Sequence, residues 1–454
     1  MKIKTIARSE EEYTRERKQD VQKVQRNLDP SLHPMAKSVE YTRALNAVKM
    51  QRVFAKPFVG ALAGHSDGVT CMSKCPDRLN CIVSGASDGE IRVWDVAARQ
   101  GIRKFLGHTG PISGLSVSAQ GDACVSCSSD STVRLWRLGS ASAGDASAAK
   151  DSLAVQDADM IFEGKAPFRG IDHHYQKPVF ATASASVDVW DHNRSEPVNS
   201  FTWGSDSVMS VRFNPADPDI FATSGSDRSI ALYDVRMGTP TRKLVMANKT
   251  NAIAWNPMEP FNFTVANEDS NLYSYDMRKL KIATCIHQDF VSAVMDVDFS
   301  PTGREFVAGG YDRTVRIYAY NGGHSREVYH TKRMQRIFTV KYSGDAAYVL
   351  SGSDDMNIRI WKARASEKQG ALLPREKRKA VYEKKLVERY NHLPEVRGIE
   401  RHRHVPKAVV KATQVRRTMQ ESEQKHKKQK IAHSAPGSVP NVPARKKRVV
   451  NVLE

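Results

Sequence analysis

Long apolar stretches are absent from this sequence, and so are the short motifs that identify common enzyme classes. No run approaches the ~18 consecutive apolar residues that a membrane-spanning helix needs. The opening "MKIKTIARSEEEYTRERK" contains no apolar segment, so no secretory signal is expected. The chain contains no Walker loop, no glycine-rich dinucleotide turn after a strand and no nucleophile elbow. We therefore expect neither a membrane protein nor an enzyme, and no catalytic residue, cofactor or small-molecule substrate.

Cysteine is scarce as well, with six residues in a chain of 454. So few cysteines do not make a disulfide framework, which favours a reducing compartment such as the cytosol or the nucleus. The spacings of Cys71 with Cys75 and of Cys124 with Cys127 could also suit a metal ion. Because Cys124 and Cys127 lie in a strand-like segment, their side chains should point to opposite faces. We therefore expect no metal site.

Positive charge is abundant but unevenly distributed. The net charge is +19, and residues 362–454 hold 25 Lys and Arg against 9 Asp and Glu. Residues 1–60 hold 13 basic and 7 acidic side chains, whereas residues 61–361 hold 31 and 34 and are nearly neutral. This asymmetry predicts that the chain ends engage a polyanion, with nucleic acid as the leading candidate. The alternative is that charged helical ends only keep the protein soluble.

The nearly neutral middle of the chain contains an internal repeat, in which an Asp precedes an aromatic residue by six positions. Six copies pair Asp88 with Trp94, Asp130 with Trp136, Asp227 with Tyr233, Asp269 with Tyr275, Asp312 with Tyr318 and Asp355 with Trp361. A seventh copy, "SASVDVWD", keeps Trp190 but has Ser184 at the Asp position. Successive aromatic residues are 42, 54, 43, 42, 43 and 43 positions apart. The longest interval contains "GSASAGDASAAKDS", which predicts a loop insertion.

This repeat resembles the WD-repeat family. The matching positions are the pairs Gly64-His65 and Gly107-His108, and Ser84, Ser126, Thr223 and Ser351 four residues before their Asp. The resemblance implies that His65, His108, the repeat Asp residues and the aromatic residues are structural, because His, Asp, Ser or Thr and Trp form a hydrogen-bonded chain within a blade of this family. Blades 3 to 6 lack the complete set and should depend more on apolar packing.

Seven copies predict an all-β fold, a seven-bladed WD40 β-propeller of four-stranded sheets with basic, largely helical N- and C-terminal extensions. A closed ring hides strand edges, so one strand should come from the far end of the chain. We expect Phe58–Leu62 to complete the last blade beside Trp361. The predicted segments are an N-terminal extension over 1–56, the propeller over 57–363 and a basic helical domain over 364–454.

Two neighbouring copies end alike, in "LYDVRM" and "SYDMRK". Asp234 with Arg236 and Asp276 with Arg278 therefore form an aromatic-Asp-x-Arg pair of motifs. The pair resembles the motif of substrate receptors that dock on the DDB-type adaptor of cullin-4 ubiquitin ligases. Arginine offers a planar fork of donors suited to recognising a partner. The alternative is a common strand-end turn with a weak local ion pair.

Both extensions contain segments with helical spacing. "EYTRALNAVKMQRVF" places Tyr41, Leu45, Val48 and Phe54 on one face, and Pro374 suits the first turn of a helix that carries Val381, Leu386, Val387 and Tyr390. A further helix is predicted over "KAVVKATQVRRTMQESEQKHKKQK", with Val409, Val410, Ala412 and Val415 available for packing. Its remaining positions are rich in Lys and Arg, which favours contact with phosphate groups.

The predicted RNA contacts lie in the C-terminal segment and are Arg401, Arg403, Lys407, Lys411, Arg416, Arg417, Arg445, Lys446, Lys447 and Arg448. The stretch "ARKKR" also has the form of a nuclear-import signal. A zinc site built from His392, His402 and His404 is a weaker alternative, because arginine separates the last two and no cysteine is near.

The two ends together make the resemblance more specific. "MKIKTIARSEEEYTRERKQDVQKVQRNLDPSLHP", "YTRALNAVKMQRVFAKPF", "RHRHVPKAVVKA" and "PGSVPNVPARKKRVVNV" resemble the Sof-type WD-repeat proteins over essentially the whole chain. The resemblance implies a scaffold of the small-subunit processome, the U3 small nucleolar ribonucleoprotein, with a role in pre-18S rRNA processing and 40S assembly. The implied partners are pre-ribosomal RNA, U3 small nucleolar RNA and other processome proteins, in the nucleus and nucleolus. The same family is also described as a cullin-4-associated receptor, which is the alternative function.

Overall fold

The computed structural model describes residues 29–139, 154–202, 207–237, 239–435, 438–440 and 442–453. The chain forms two compact units. The propeller unit comprises Phe58–Ala363 and the chain from His404 onward, and the helical unit comprises the chain up to Pro57 together with Arg364–Arg403. The division into three segments made from the sequence remains a prediction.

The propeller unit contains seven sheets, each a blade with four antiparallel strands, and two of the described blades have a fifth strand. Blade 1 holds β2 (Val69–Lys74), β3 (Cys81–Ala86), β4 (Ile91–Asp95) and β5 (Gln100–Phe105); blade 2 holds β6 (Ile112–Val117), β7 (Ala123–Ser128), β8 (Thr132–Arg137) and β10 (Met160–Glu163); blade 3 holds β11 (Gly170–His173), β12 (Val179–Ala183), β13 (Val187–Asp191) and β14 (Asn199–Phe201). Blade 4 holds β15 (Val208–Phe213), β16 (Ile220–Gly225), β17 (Ser229–Asp234) and β18 (Arg242–Met246); blade 5 holds β19 (Thr250–Trp255), β20 (Asn262–Asn267), β21 (Leu272–Asp276) and β22 (Cys285–His287). Blade 6 holds β23 (Val294–Phe299), β24 (Glu305–Gly310), β25 (Val315–Ala319) and β26 (Ser325–Tyr329); blade 7 holds β27 (Ile337–Tyr342), β28 (Tyr348–Ser353), β29 (Asn357–Lys362) and β1 (Phe58–Ala63).

The blades form a closed ring. The innermost strands of successive blades are neighbours, and β27 of blade 7 lies beside β2 of blade 1. Strand β1 pairs antiparallel with β29, with Phe58 opposite Trp361 and Ala63 opposite Asn357. The predicted closure of the last blade by Phe58–Leu62 is therefore confirmed, as is the seven-bladed β-propeller.

The repeat aromatic residues fill the spaces between neighbouring sheets. Trp94 packs in one apolar cluster with Leu62, Ile82 and Ile360, so this cluster joins blades 1 and 7. Trp94 and Trp361 are each 1% exposed. Burying a side chain of this size stabilises the fold by about 1.5–3 kcal/mol. Because an aromatic residue, Trp or Tyr, occupies this position in every copy, each copy of the repeat contributes to the packing of one blade against its neighbour.

Carboxylates near the axis tie neighbouring blades together. The backbone N–H of Phe213 in blade 4 donates to Asp172 Oδ2 of blade 3 at 2.8 Å. The N–H of Tyr342 in blade 7 donates to Asp298 Oδ2 of blade 6 over the same distance, 2.8 Å. Charge-assisted hydrogen bonds of this kind are stronger than neutral ones, so they fix the registration of the inner strands.

Two blades carry a fifth strand at their outer edge. Strand β9 (Ala154–Gln156) pairs parallel with β5 of blade 1. Strand β30 (Val449–Leu453) pairs antiparallel with β18 of blade 4, with Leu453 opposite Lys243 and Val449 opposite Met246. The loop insertion predicted from "GSASAGDASAAKDS" lies, apart from Gly139, outside the described residues.

In its described residues, the helical unit contains a 3-10 turn at Pro30–Leu32 and the helices α1 (Ala36–Val53), α2 (Pro374–Tyr390) and α3 (Pro394–Arg401). Its small core consists of Ala47, Val48, Val387 and Val396, with Tyr41, Leu45, Tyr390 and Ile399 partly buried around them. Pro374 occupies the first turn of α2, as predicted. Phe54 and Val381, expected on apolar faces, are 65% and 54% exposed. For Phe54 the reason is that α1 ends at Val53, so Phe54 only caps the helix.

The last helix, α4 (Lys407–Ala432), belongs to the propeller unit. Of the four apolar residues predicted to pack, only Val409 is buried, whereas Val410 and Val415 are 40% and 60% exposed. Every residue from Arg417 to His433 is exposed, so the second half of α4 lies away from the blades. No helix in the described part of the chain has both the length and the apolarity to cross a membrane.

Candidate interaction surfaces

Blade 2 contains the complete hydrogen-bonded chain that the repeat predicts. His108 Nδ1 lies 2.9 Å from Asp130 Oδ2, and its Nε2 lies 2.7 Å from Ser126 Oγ. Trp136 Nε1 donates to the same hydroxyl at 2.8 Å. Burial lowers the pKa of His108, so near neutral pH the ring is neutral, donates from Nδ1 and accepts at Nε2. These hydrogen bonds thus connect a loop, a turn and two strands of the blade, which is a structural role.

Blade 1 has only part of this chain. His65 Nε2 lies 2.6 Å from Ser84 Oγ, which also accepts from Trp94 Nε1 at 2.7 Å. The expected bond between His65 and Asp88 is missing, and on that point the prediction was wrong. The Asp88 carboxylate instead accepts from the hydroxyl of Ser66 and, at 3.0 Å, from the backbone N–H of Glu90. Burial lowers the pKa of His65 to about 4.

In the other blades the repeat polar groups find partners within their own sheet. Trp190 Nε1 donates to Thr182 Oγ1 at 2.9 Å in blade 3, and Trp361 Nε1 donates to Ser351 Oγ at 2.9 Å in blade 7. The repeat carboxylates of blades 4, 6 and 7 pair with a cation: Asp227 with Lys243 at 2.7 Å, Asp312 with Arg316 at 3.6 Å, and Asp355 with Arg359. A buried carboxylate needs such a partner, because unpaired burial of charge is costly.

Blade 5 takes its cation from the C-terminal tail. Asp269, with a side chain only 6% exposed, lies 3.4 Å from Arg448 Nε and accepts from Tyr273 Oη at 2.5 Å. Blades 6 and 7 have an arginine four residues after the Asp, where blade 5 has Tyr273. Arg448, predicted to contact RNA, therefore supplies the charge that its blade lacks.

The C-terminal tail is attached to blades 4 and 5 through residues 445–453. The backbone N–H of Ala247 donates to Arg448 O at 2.9 Å, and the N–H of Ala283 donates to Arg445 O at 3.2 Å. Val449 and Val452 of β30 pack against the apolar cluster formed by blades 4 and 5. Strand β30 was not predicted from the sequence, although the β-branched run "VVNV" is typical of strands.

Helix α4 is anchored by a second arginine. Arg416 Nη1 donates to Phe290 O at 2.8 Å and to the hydroxyl of Ser270, and its Nη2 donates to Asp269 O at 3.2 Å. These three acceptors belong to blade 5 and to the loop that leads into blade 6. Arg416 was predicted to contact RNA, but its guanidinium is directed at the propeller instead.

The other predicted RNA-contact residues are placed differently. Arg401 and Arg403 belong to the helical unit, and Arg403 Nη1 donates to His402 O at 3.0 Å. Six of the predicted contacts are exposed and belong to the propeller unit, namely Lys407, Lys411, Arg417, Arg445, Lys446 and Lys447. Arg417, whose side chain is 79% exposed, pairs with Glu421 at 2.8 Å. The structure therefore brings residues near 416 and residues near 447 to the same blade, although they lie ~30 positions apart in the chain.

A cleft of about 320 Å³ separates α4, the C-terminal tail and the outer face of blades 5 and 6. Its lining comprises Asn271, Tyr273, Ile286, Gln288, Asp289, Phe290, Val291, Thr413, Arg416, Arg417, Gln420, Ala444, Lys447 and Arg448. Four of these side chains are cationic and one is acidic, so the cleft is electropositive.

The two aromatic-Asp-x-Arg motifs have the same local geometry. Arg236 donates to Asp234 from Nε and Nη2, both at 3.1 Å, and Arg278 donates to Asp276 at 3.0 and 2.9 Å. Each hydrogen bond to the arginine lowers the pKa of the carboxylic acid. The arginine side chains are 62% and 61% exposed. Arg278 also lies 4.3 Å from the ring centroid of Phe261, which is 46% exposed.

Among the described residues, no group of three or more His, Cys, Asp or Glu is placed to hold a metal ion. Cys124 and Cys127 pack in different apolar clusters, one shared with blade 1 and the other with blade 3. Their predicted orientation to opposite faces of the strand is confirmed. His404 stacks on His330 with ring centroids 5.2 Å apart.

A seven-bladed propeller with a basic C-terminal extension bound to blades 4 and 5 defines a WD-repeat protein with an additional domain. Matches to the WD domain, G-beta repeat, cover residues 56–95, 99–137, 195–234, 282–319 and 324–362, and a match to the Sof1-like domain covers residues 363–449. The chain is 47% identical to the DDB1- and CUL4-associated factor 13 of Homo sapiens and to that of Danio rerio, with all of both chains covered. It is 44% identical to Protein SOF1 of Saccharomyces cerevisiae, over 92% of this chain and 88% of that protein. The chain therefore belongs to the family of WD-repeat proteins with a Sof1-like domain.

Proposed function

We propose that this protein is a non-catalytic assembly factor of the small-subunit processome, which acts in pre-18S rRNA processing and 40S subunit assembly in the nucleolus. Family membership supports the proposal, because the Sof-type resemblance implies this particle. The observation that carries the proposal is that a nearly neutral part and a strongly basic part of the chain belong to one folded unit. A nearly neutral propeller holds a basic helix and tail against blade 5, and their remaining cations face solvent. The propeller would contact proteins while the extension contacts pre-ribosomal or U3 RNA.

The RNA contacts are assigned to the predicted cations that do not hold the extension to the propeller. Arg416 and Arg448 hold the extension to the propeller, and we reassign them to that role. The proposed contacts are then Arg401, Arg403, Lys407, Lys411, Arg417, Arg445, Lys446 and Lys447. Phosphate contacts of this kind release counterions, so binding should weaken steeply as salt is added.

In-cell crosslinking with sequencing of bound RNA tests the proposal in the full chain. The variant replaces Lys411, Arg417, Arg445, Lys446 and Lys447 with Gln. The matched control replaces five exposed cations of the propeller with Gln, namely Lys165, Arg194, Lys281, Lys332 and Arg333. We expect crosslinks to pre-18S and U3 RNA in the wild type and the control, and their loss in the variant. Absence of such crosslinks in the wild type would refute the proposal.

A second candidate function is that of a substrate receptor for a cullin-4 ubiquitin ligase. Relatives of 47% identity are named for association with DDB1 and CUL4. The specific observation is that Arg236 and Arg278 lie in consecutive blades, both more than half exposed and both held by their own Asp. Preorganised arginines lose little conformational freedom on binding, which suits an interface anchor.

Co-purification of the DDB-type adaptor with the Arg236→Glu/Arg278→Glu variant tests this candidate. Adaptor binding should be lost while the RNA crosslinks persist. The Arg236→Lys/Arg278→Lys variant serves as the control for charge alone, because lysine keeps the charge but lacks the fork. Unchanged adaptor recovery with both pairs of variants would exclude these arginines from the interface.

A further inference from the structure

The cleft between α4, the C-terminal tail and blades 5 and 6 is an electropositive recess formed by two separate basic stretches of the chain. Arg416 and Arg417 reach it from the helix, and Lys447 and Arg448 reach it from the tail. We propose that this cleft is a binding site for a single unpaired nucleotide of an RNA strand, with the phosphate against the cations and the base in the recess. The inference rests on the proposed function and names the form of RNA that this surface takes.

The four cations differ in what they can do. Arg416 donates to three acceptors of the propeller, and Arg448 pairs with Asp269, so these two arginines fix the walls of the cleft. Lys447 is exposed, and Arg417 is held only by a solvent-exposed pair with Glu421, which is worth little. These two side chains are therefore the ones that can turn to a phosphate at the mouth of the cleft.

The acidic residue of the lining does not oppose this assignment. Asp289 accepts from the backbone N–H of Ser325 at 2.8 Å and from its hydroxyl at 2.9 Å, and it lies 2.8 Å from His324 Nδ1. Its carboxylate is thus directed at the turn between β25 and β26 of blade 6. A phosphate at the mouth would meet the two available cations first.

The uncharged part of the lining distinguishes a nucleotide from a bare anion. Gln288 and Gln420 are exposed amides, whereas the amide of Asn271, which also lines the cleft, is buried and donates to Tyr273 Oη at 3.4 Å. An amide both donates and accepts, which matches the edge of a base and is unnecessary for a phosphate alone. Ile286 and Val291 supply an apolar surface between these polar groups.

The size of the cleft and its surroundings favour a strand of RNA over a duplex. A volume of about 320 Å³ lies at the lower end of the range for small-ligand sites, and it suits one nucleotide. Unpaired nucleotides are the ones whose bases can be turned into a pocket. Exposed Lys411 on the helix and Lys446 on the tail flank the cleft on the same two segments, so they can follow the phosphates before and after it.

Binding of the full-length protein to a short single-stranded RNA of mixed sequence, measured by fluorescence anisotropy over a salt series, tests the charged half of the site. Arg417→Glu/Lys447→Glu should weaken binding by roughly tenfold or more and reduce the salt slope by about 1.4, the value for two lost phosphate contacts to a single strand. The matched control, Lys425→Glu/Lys428→Glu, makes the same charge change on the distal half of α4, away from the lining. It should have a much smaller effect.

The charge-neutral variant Gln288→Ala/Gln420→Ala tests the nucleotide half of the site. We expect roughly a threefold to tenfold loss of affinity for single-stranded RNA, since each amide contributes one modest hydrogen bond, and no change for inorganic polyphosphate. Both substituted side chains are exposed, so folding should be unaffected, as circular dichroism can verify. The wild type should also bind the single strand more tightly than the corresponding duplex.

The outcomes separate this inference from the proposed function. If the wild type binds neither RNA nor polyphosphate, the proposed RNA role fails. If it binds RNA while the two charge-reversal pairs weaken binding equally and the amide variant changes nothing, the nucleotide site is overturned and the general RNA role stands. If uridine monophosphate binds saturably, and the cleft variants abolish that binding without affecting RNA, the ligand is a free nucleotide and the assignment to RNA is wrong.

Discussion

In blades 2 and 5 the repeat Asp carboxylate has a partner from a different part of the chain. In blade 2 the repeat carboxylate of Asp130 is satisfied by His108 from the preceding loop. In blade 5 the equivalent Asp269 has no such histidine, and Arg448 reaches it from ~180 residues further along the chain. A blade whose sequence lacks one of the repeat's polar residues can therefore mark the place where another segment of the chain binds.

The largest expected difference between the two blades concerns their aromatic residues. Trp136→Phe removes the hydrogen bond to Ser126 and leaves a cavity, and should lower the free energy of unfolding by about 3 kcal/mol. Tyr275→Phe in blade 5 should lower the free energy of unfolding by about 0.5 kcal/mol or less. Within the described residues, the one hydrogen bond of the Tyr275 hydroxyl is a long one, to the sulfur of Met246 at 4.0 Å. Urea unfolding of both variants measures the contrast, and equal losses would contradict it.

Acid should break the histidine-dependent chains. The pKa of His65 is lowered to about 4, so between pH 6.5 and 4 the unfolded state binds a proton that the folded state does not. Stability should therefore be full above about pH 6.5 and fall as the pH drops, by about 2 kcal/mol at pH 5 from this residue. His65→Gln should flatten the dependence by that amount in urea unfolding at pH 7 and pH 5. The pKa of His287 is also lowered to about 4 by burial, so the His65→Gln variant should still lose some stability at acidic pH.

The borrowed cation of blade 5 can be removed without touching the blade. Arg448→Gln leaves the carboxylate of Asp269 nearly buried and without its charge partner, which should cost about 1–2 kcal/mol. Hydrogen exchange in residues 449–453 should accelerate, because β30 follows this anchor directly. Lys447→Gln is the neighbouring control and should change stability by about 0.5 kcal/mol or less, as is usual for exposed positions. Similar exchange in both variants would show that the anchor is unimportant.

The smallest expected effect concerns the anchoring of α4. Arg416→Gln loses the hydrogen bonds to blade 5 and should cost about 1 kcal/mol, with faster hydrogen exchange in the first turns of α4. Arg417→Gln, one residue along, loses only an exposed pair with Glu421 and should leave exchange unchanged. If Arg417→Gln accelerated hydrogen exchange in α4 as much as Arg416→Gln does, Arg416 could not be called the anchor of the helix.

The propeller was predictable because each copy of the repeat has the same pattern of strands, turn and buried aromatic residue. The seven copies of the repeat between Trp94 and Trp361 gave the blade number, and the strand-like run at Phe58–Leu62 gave the closure. The C-terminal extension has no period, so its composition predicted helices and charge but not which cations are used internally. Arg416 and Arg417 are adjacent and chemically identical, and only the acceptors on blade 5 separate them. The cleft was unpredictable for the same reason, since it needs segments ~30 positions apart to meet.

The pairing of β1 with β29 has a consequence for how the protein is made. Strand β1 leaves the ribosome before any of the blades, and its partner is made ~300 residues later, which at 5–20 residues per second means a delay of roughly 15–60 s. During that interval blades 1 to 6 can form one after another, while β1 and the edge of the growing array stay unpaired. Strand β30 comes last of all and docks on blade 4, which was completed long before it. The ring therefore cannot close until β29 has been made, and a chain stopped before residue 357 has no partner for β1.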